Sequence, residues 1–419
     1  MDPVRNPYAP GAGQRPPELA GRDGELDAFD VVLERVARRR PERSIVLTGL
    51  RGVGKTVLLN TMRSAAVRRN WGTGKLEARP DQPLRRPFTA ALHQAVRELG
   101  APNAAGADQV LGVLKSFGQT VDRPDRTDRS RDAASTRGAT RGATRAAPRL
   151  RDRWQPGIEV AAVPGRADSG DIEIDLVELL QDVAGLAGDC GRGIAVFIDE
   201  MQDLGPDDVS ALCAACHEIS QTGLPFIVVG AGLPHLPAVL SASKSYSERL
   251  FRYARIDRLD RDAADRALSS PAKEEDVEFT PEALALLYQA TAGYPYFVQA
   301  YGKVAWDVAP RSPIGADDVR VAVPEAEAEL AVGFFGSRYE RATPAERDYL
   351  RAMADAAGSA EDDAVATSAI AELLGRSAQS LSPARDALIK KGLVYSGERG
   401  RIAFTVPHFG RYLRSHAAD

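Results

Sequence analysis

Apolar residues along this chain follow two rhythms. Unbroken runs occur at Ser44-Ile45-Val46-Leu47-Thr48, at Gly193-Ile194-Ala195-Val196-Phe197-Ile198 and at Pro225-Phe226-Ile227-Val228-Val229. Runs of that length, apolar on both faces and bounded by turn residues, predict central strands of a parallel sheet. A shorter strand is expected at Lys75-Leu76-Glu77-Ala78 and a final one around Ile256. Between the strands, apolar positions recur at helical spacing. Phe29, Val32, Leu33 and Val36 share one face, and 84–99, 172–187 and 206–222 read as further helices. Strands alternating with helices predict an α/β fold, a parallel sheet with helices on both faces.

Beyond residue 258 the strand signal stops. Helical patterns at 262–269, 281–291, 295–308 and 316–330 predict a small bundle. The C-terminal stretch reads as three helices and a hairpin. Thr343-Pro344-Ala345-Glu346 opens the first, with proline early and glutamate at capping-box spacing. The second covers 367–374 and ends at Gly375. The third spans 382–391, with Ala384, Leu388 and Ile389 on its apolar face and Gly392 ending it. Leu393–Ser396, a turn at Gly397-Glu398-Arg399-Gly400, and Arg401–Thr405 complete a winged helix. The expected organisation is an extended surface leader at 1–20, a core at 21–258, a helical lid at 259–335 and a winged-helix domain at 336–419.

One segment breaks the pattern. Across 121–154 apolar residues nearly vanish, and Thr136-Arg137-Gly138-Ala139-Thr140-Arg141-Gly142-Ala143-Thr144-Arg145 is a short tandem repeat. Such a stretch cannot offset its ordering entropy and is expected to be a disordered insertion. Its arginines form a solvated loop or touch phosphates and acidic surfaces; composition supports both. Elsewhere composition mainly excludes. With three cysteines there is no disulfide scaffold, and no apolar run reaches membrane-spanning length. The N-terminus lacks the regions of a signal peptide, so a cytoplasmic protein is expected. A net charge of −4 means that any nucleic-acid affinity comes from local patches. Cys213-Ala214-Ala215-Cys216-His217 matches a haem-attachment pattern, but cysteines three apart on an amphipathic helix are more simply buried packing residues.

Chemistry concentrates where the first strand ends. Gly49-Leu50-Arg51-Gly52-Val53-Gly54-Lys55-Thr56 fits G-x-x-x-x-G-K-[ST] between a strand and a helix that continues through Val57. Glycines let backbone N–H groups turn inward around a phosphate, and the helix N-terminus favours the anion. Lys55 is expected to reach the β/γ-phosphates, and the Thr56 hydroxyl to ligate Mg²⁺. The second long strand ends in Asp199-Glu200. Asp199 is expected to hold Mg²⁺ and Glu200 to polarise the attacking water, from a strand neighbouring the cradle. The chain is therefore expected to bind a nucleoside triphosphate with Mg²⁺.

With Gly21-Arg22 opening a helix before the phosphate loop and Gly293-Tyr294-Pro295 opening a lid helix, the chain resembles AAA+/STAND ATPases near the origin-recognition group. The resemblance covers nearly everything except 121–154. It implies adenine contact at Gly21 and Arg22, Pro295 beside the nucleotide, and a nucleotide-driven switch that closes the lid and pairs subunits. It also implies an arginine finger, for which Arg249 in Tyr246–Phe251 is the candidate, a structural salt bridge being the other reading. Two departures stand out. The strand after Asp199 ends in Gly230-Ala231-Gly232, with no side-chain sensor, and no Lys, Arg or His is evident at the second-sensor place, where Tyr296 and Gln299 stand. Low turnover follows. Arg376, Arg385, Lys390, Lys391, Arg399 and Arg401 cluster on the recognition helix and wing, as expected for DNA contact. Docking of a protein partner is the alternative. A P-loop kinase or transferase is disfavoured, because neither lid nor winged helix builds an acceptor site.

Overall fold

The computed structural model describes residues 1–11, 13–100, 104–122, 157–358 and 364–416. The Arg-rich insertion expected at 121–154 lies, apart from 121 and 122, outside the described residues. Five parallel strands form the central sheet: β1 (Ser44–Thr48), β2 (Gly72–Glu77), β3 (Ile194–Asp199), β4 (Phe226–Gly232) and β5 (Phe251–Arg255), in the order β2-β3-β4-β1-β5. All strands therefore end on the same edge, at Thr48, Glu77, Asp199, Gly232 and Arg255.

Alternation along each strand splits the core in two. Ile45 and Leu47 of β1, with Ala195 and Phe197 of β3, meet Phe29, Leu33, Leu58 and Met62 of the helices Asp23–Ala37 and Lys55–Arg68. Val46, Ile194, Val196 and Ile198 meet Phe88, Leu92, Leu176 and Leu212 from the opposite face. Helices on both faces bury β1, β3 and β4 completely, which is what unbroken apolar runs require. One expectation needs correction. The acids of β3 do not neighbour the strand of the phosphate loop, because β4 lies between β3 and β1.

The second face is tied by a buried ion pair. Arg85 and Asp175 are 3% and 0% exposed, and Nη2 lies 3.0 Å from Oδ2. Asp175 also accepts from Ser169 N (2.8 Å), Ser169 Oγ (2.7 Å) and Gly170 N (3.1 Å), while the guanidinium sits 4.5 Å from the Phe117 ring centre. Asp175→Ala would leave that cation short of its buried partner. We expect a loss of about 3 kcal/mol, read as a lower urea midpoint with unchanged slope.

Past β5 come the helices Arg261–Glu274, Pro281–Thr291, Pro295–Val308 and Ala316–Leu330. The first outruns its expected end at 269, because Pro271 and Ala272 are buried and packing offsets the hydrogen bond that proline cannot make. The chain then stays helical through Tyr339, across the junction expected at 335–336. Three further helices follow (Pro344–Ala357, Thr367–Leu373, Ala378–Lys390), with an antiparallel sheet ordered β6 (Val365–Ala366), β8 (Arg401–Phe404), β7 (Val394–Tyr395). The helix expected from Ser382 starts at Ala378, where the Ser377 side chain accepts from Ser380 N at 3.3 Å. A final helix, Phe409–His416, was not anticipated.

The leader runs along the lid with Val4 91% exposed, and is anchored there by Tyr8, only 4% exposed, whose hydroxyl donates to Leu268 O. Asn6 Nδ2 donates to Lys303 O (3.0 Å) and Asp307 Oδ1 (2.8 Å). Gly302 makes this possible: a Cβ there would stand 3.1 Å from the Tyr8 ring.

Candidate functional site

The loop after β1 has the backbone its glycines permit. Gly52 (φ 86°) and Gly54 (φ 91°) sit in the left-handed region, and a Cβ at Gly49 would collide with the Ile256 carbonyl. Lys55 is 8% exposed, and its ammonium donates to Gly49 O and Leu50 O, both at 2.8 Å. Burial pushes its pKa down to about 8, against the opposing pull of Glu200 and Asp199.

Across β4 stand the acids. Asp199 ends β3 at 6% exposure, and Glu200 follows in a left-handed conformation (φ 49°), its N–H donating to Asp199 Oδ1 at 3.0 Å. Gln202 donates to Glu200 Oε2 at 2.6 Å and accepts from Leu233 N at 3.1 Å, so it fixes one carboxylate oxygen to the end of β4. The room for Gln202 comes from the small residues that end β4. A Cβ at Gly232 would be 2.7 Å from Gln202 Oε1, and one at Gly230 would be 2.5 Å from Met201 Sδ. Those glycines make room for side chains crossing from β3.

Cradle and acids open on one cavity of about 330 Å³. Arg51 through Val57 line it with Asp199, Glu200, Arg22 and Pro295, whereas Gly49 and Leu50 turn their carbonyls to Lys55. Gly21 lies outside it, against Ala263 of the lid. Arg22, 8% exposed, donates to Val53 O at 3.2 Å and to Asp257 O, so it pins the loop from beneath.

Two walls were not foreseen. The leader supplies one, with Gly13 so near that a Cβ would stand 3.0 Å from Thr56 Cγ2. The other includes Arg338, stacked 4.0 Å from the Phe334 ring centre. Burial and the nearby Arg51 lower its pKa. As one cation with no motif around it, Arg338 carried no legible signal. Lid and C-terminal region both grip the phosphate loop: Tyr296 N donates to Gly52 O (3.2 Å) and Arg51 N to Thr405 O (2.8 Å).

Arg249 is not brought to this site. It is exposed on the short helix Ser247–Leu250, just before Phe251, which pairs in register with Ser44 at the start of β1. That is the opposite edge of the sheet, roughly 15 Å from the cradle at about 3.3 Å per residue. The six C-terminal cations divide. Arg376, Lys390 and Arg399 are exposed, whereas Lys391 pairs with Glu346, Arg385 with Asp386 at 3.0 Å, and Arg401 donates to Ala364 O. Lys390 and Lys391 line a second cleft of about 1120 Å³ whose lining also includes Glu173, Asp203 and Asp207. Cys213 and Cys216 are buried in the core, where burial raises both thiols to about 12. No helix among the described residues is long and apolar enough to cross a membrane.

A family model described as "AAA ATPase domain" matches residues 18–229, half of the chain. A second, "Domain of unknown function (DUF8462)", matches 332–413. No curated protein matches in sequence. Among solved structures, a Walker-type ATPase of Pyrococcus abyssi is similar over 96% of this chain and 97% of its own, at 15% identity and a TM-score of 0.54. Cdc6p from Pyrobaculum aerophilum covers 99% and 97% at 14% identity and a TM-score of 0.42. The RuvB Holliday junction branch migration motor of Thermotoga maritima covers 94% and 96% at 16% identity and 0.42.

Proposed function

This chain belongs to the AAA ATPase domain family, and on that premise we propose that it is a slow ATP-driven switch whose C-terminal region is the moving part. The observation that carries this reading is the bond from Arg51 N to Thr405 O, 2.8 Å. A loop that must rearrange around phosphate is, in the same residue, the docking point of the C-terminal region. The Arg51 side chain adds to it, since a Cβ at Gly392 would stand 2.8 Å from Nη2.

In the proposed chemistry, Lys55 leaves the carbonyls of Gly49 and Leu50 for the β/γ-phosphate oxygens, and inward amides of the loop complete the grip. Thr56 and Asp199 offer a hydroxyl and a carboxylate, the hard oxygen donors that Mg²⁺ takes, and both line the cavity. When bound, Mg²⁺ would neutralise charge on the phosphates. Glu200 accepts a proton from the attacking water, held in orientation by Gln202. Turnover is slow because β4 ends in Gly230-Ala231-Gly232 and supplies no side chain to the phosphate. Arg249 contributes only by reaching the cradle of a second copy.

For the output of the switch we favour duplex DNA, contacted by Arg376, Lys390 and Arg399 once the C-terminal region leaves the cleft. Docking of a protein partner is the second reading, favoured by the internal pairing of Arg385, Lys391 and Arg401. Hydrogen exchange tests the switch: ATP with Mg²⁺ should speed exchange over 392–406, and unchanged protection there would refute it. Filter binding across a salt series then separates the outputs. A DNA contact through three cations gives a log–log slope near −2.7 by the counterion-release rule of about −0.9 per phosphate, and a protein dock gives none.

A further inference from the structure

Gln299 belongs to the lid helix Pro295–Val308, one turn beyond the Pro295 that lines the cavity. It is only 7% exposed, yet its side-chain carbonyl oxygen has no hydrogen-bond partner among the described residues. Buried acceptors are almost always paired, and an orphan inside a binding cavity points to a donor that arrives with the ligand. Gln299 lines the same cavity as Lys55 and Thr56. The sheet edge contributes charge there: Lys55, Asp199 and Glu200. The lid side contributes apolar surface, from Leu259, Ala267 and Val298.

We propose that Gln299 reads the nucleobase, accepting a hydrogen bond from the exocyclic amine of adenine while the apolar side chains flank the ring. This rests on the phosphate reading given above. The phosphates of a nucleotide held by Lys55 carry no donor, so the donor comes from the base or the ribose. Apolar neighbours suit a flat heterocycle better than a hydroxylated sugar.

Competition against a fluorescent nucleotide tests this with the full chain. Wild type should bind ATP about tenfold more tightly than purine riboside triphosphate, which lacks only the amine, on the scale of one buried neutral hydrogen bond. Gln299→Leu, and Gln299→Met as a second variant, should bind the two equally while keeping wild-type affinity for inorganic tripolyphosphate. Equal wild-type affinities for ATP and the purine analogue would overturn the base contact and leave the phosphate cradle standing. So would a gap that persists in both variants. A deficit confined to 2′-deoxyATP would assign the oxygen to the ribose and overturn the proposal as well. If neither ATP nor tripolyphosphate competes in wild type, the cradle reading itself fails.

Discussion

Lys55→Met should make the nucleotide-free protein more stable while it abolishes ATP binding. The two effects share one cause. Lys55 is a buried ammonium whose pKa falls from 10.5 to about 8, chiefly through desolvation. At about 1.4 kcal/mol per unit, holding it charged at neutral pH costs the fold about 3 kcal/mol. Methionine removes that burden but leaves the carbonyls of Gly49 and Leu50 without their donor, so a net gain of about 1–2 kcal/mol is expected. The same residue supplies the ammonium that a triphosphate needs, and its loss should weaken ATP binding by on the order of a hundredfold or more. Thermal melts with and without ATP separate the signs: a higher apo Tm, and no ATP-dependent rise. The pH dependence follows. Between pH 8 and 10.5 the unfolded chain holds a proton on Lys55 that the folded apo chain has released, so this group's contribution to stability rises with pH over that window and vanishes in the variant. A bound phosphate restores the proton, so ATP binding near pH 8.5 should take up protons in calorimetry across buffers of different ionisation enthalpy.

Glu200→Gln should separate binding from chemistry. The carboxylate accepts from Gln202 at 2.6 Å, while the backbone of Glu200 sits in a left-handed conformation with its N–H donating to Asp199 Oδ1. Glutamine matches its shape but cannot take the proton of water. Loss of a positioned general base lowers kcat by about 10²–10⁴-fold, while ATP affinity should hold within a few-fold. Phosphate release beside filter-bound ATP measures both. Turnover that survived the substitution would remove Glu200 from the chemistry.

Much of this was legible in the sequence for a physical reason. Parallel strands buried on both faces must be unbroken apolar runs, and β1, β3 and β4 stand where those runs predicted them. Gly49 to Thr56 was legible because a phosphate-shaped turn tolerates few residue types. Strand order was not, since apolar runs do not say which strands touch; hence β4 came as an unexpected separator of the acids from the cradle. Where the leader anchors was not legible either, since one tyrosine and the gap at Gly302 decide it. Arg338, Gln202 and the orphan oxygen of Gln299 depend on long-range juxtaposition, to which local patterns are blind.

The leader touches both the lid and the helix that follows the phosphate loop. Tyr8 is fastened to the lid, whereas Gly13 rests on Thr56 in the first turn of the helix Lys55–Arg68. Under the proposed switch, a tether clamped at one end to the lid travels with it, so opening the lid would strip this wall from the bound molecule in the same stroke. Entry and exit should then share a single barrier, and the dwell time of ADP becomes a property of how firmly one aromatic ring is seated far from any phosphate.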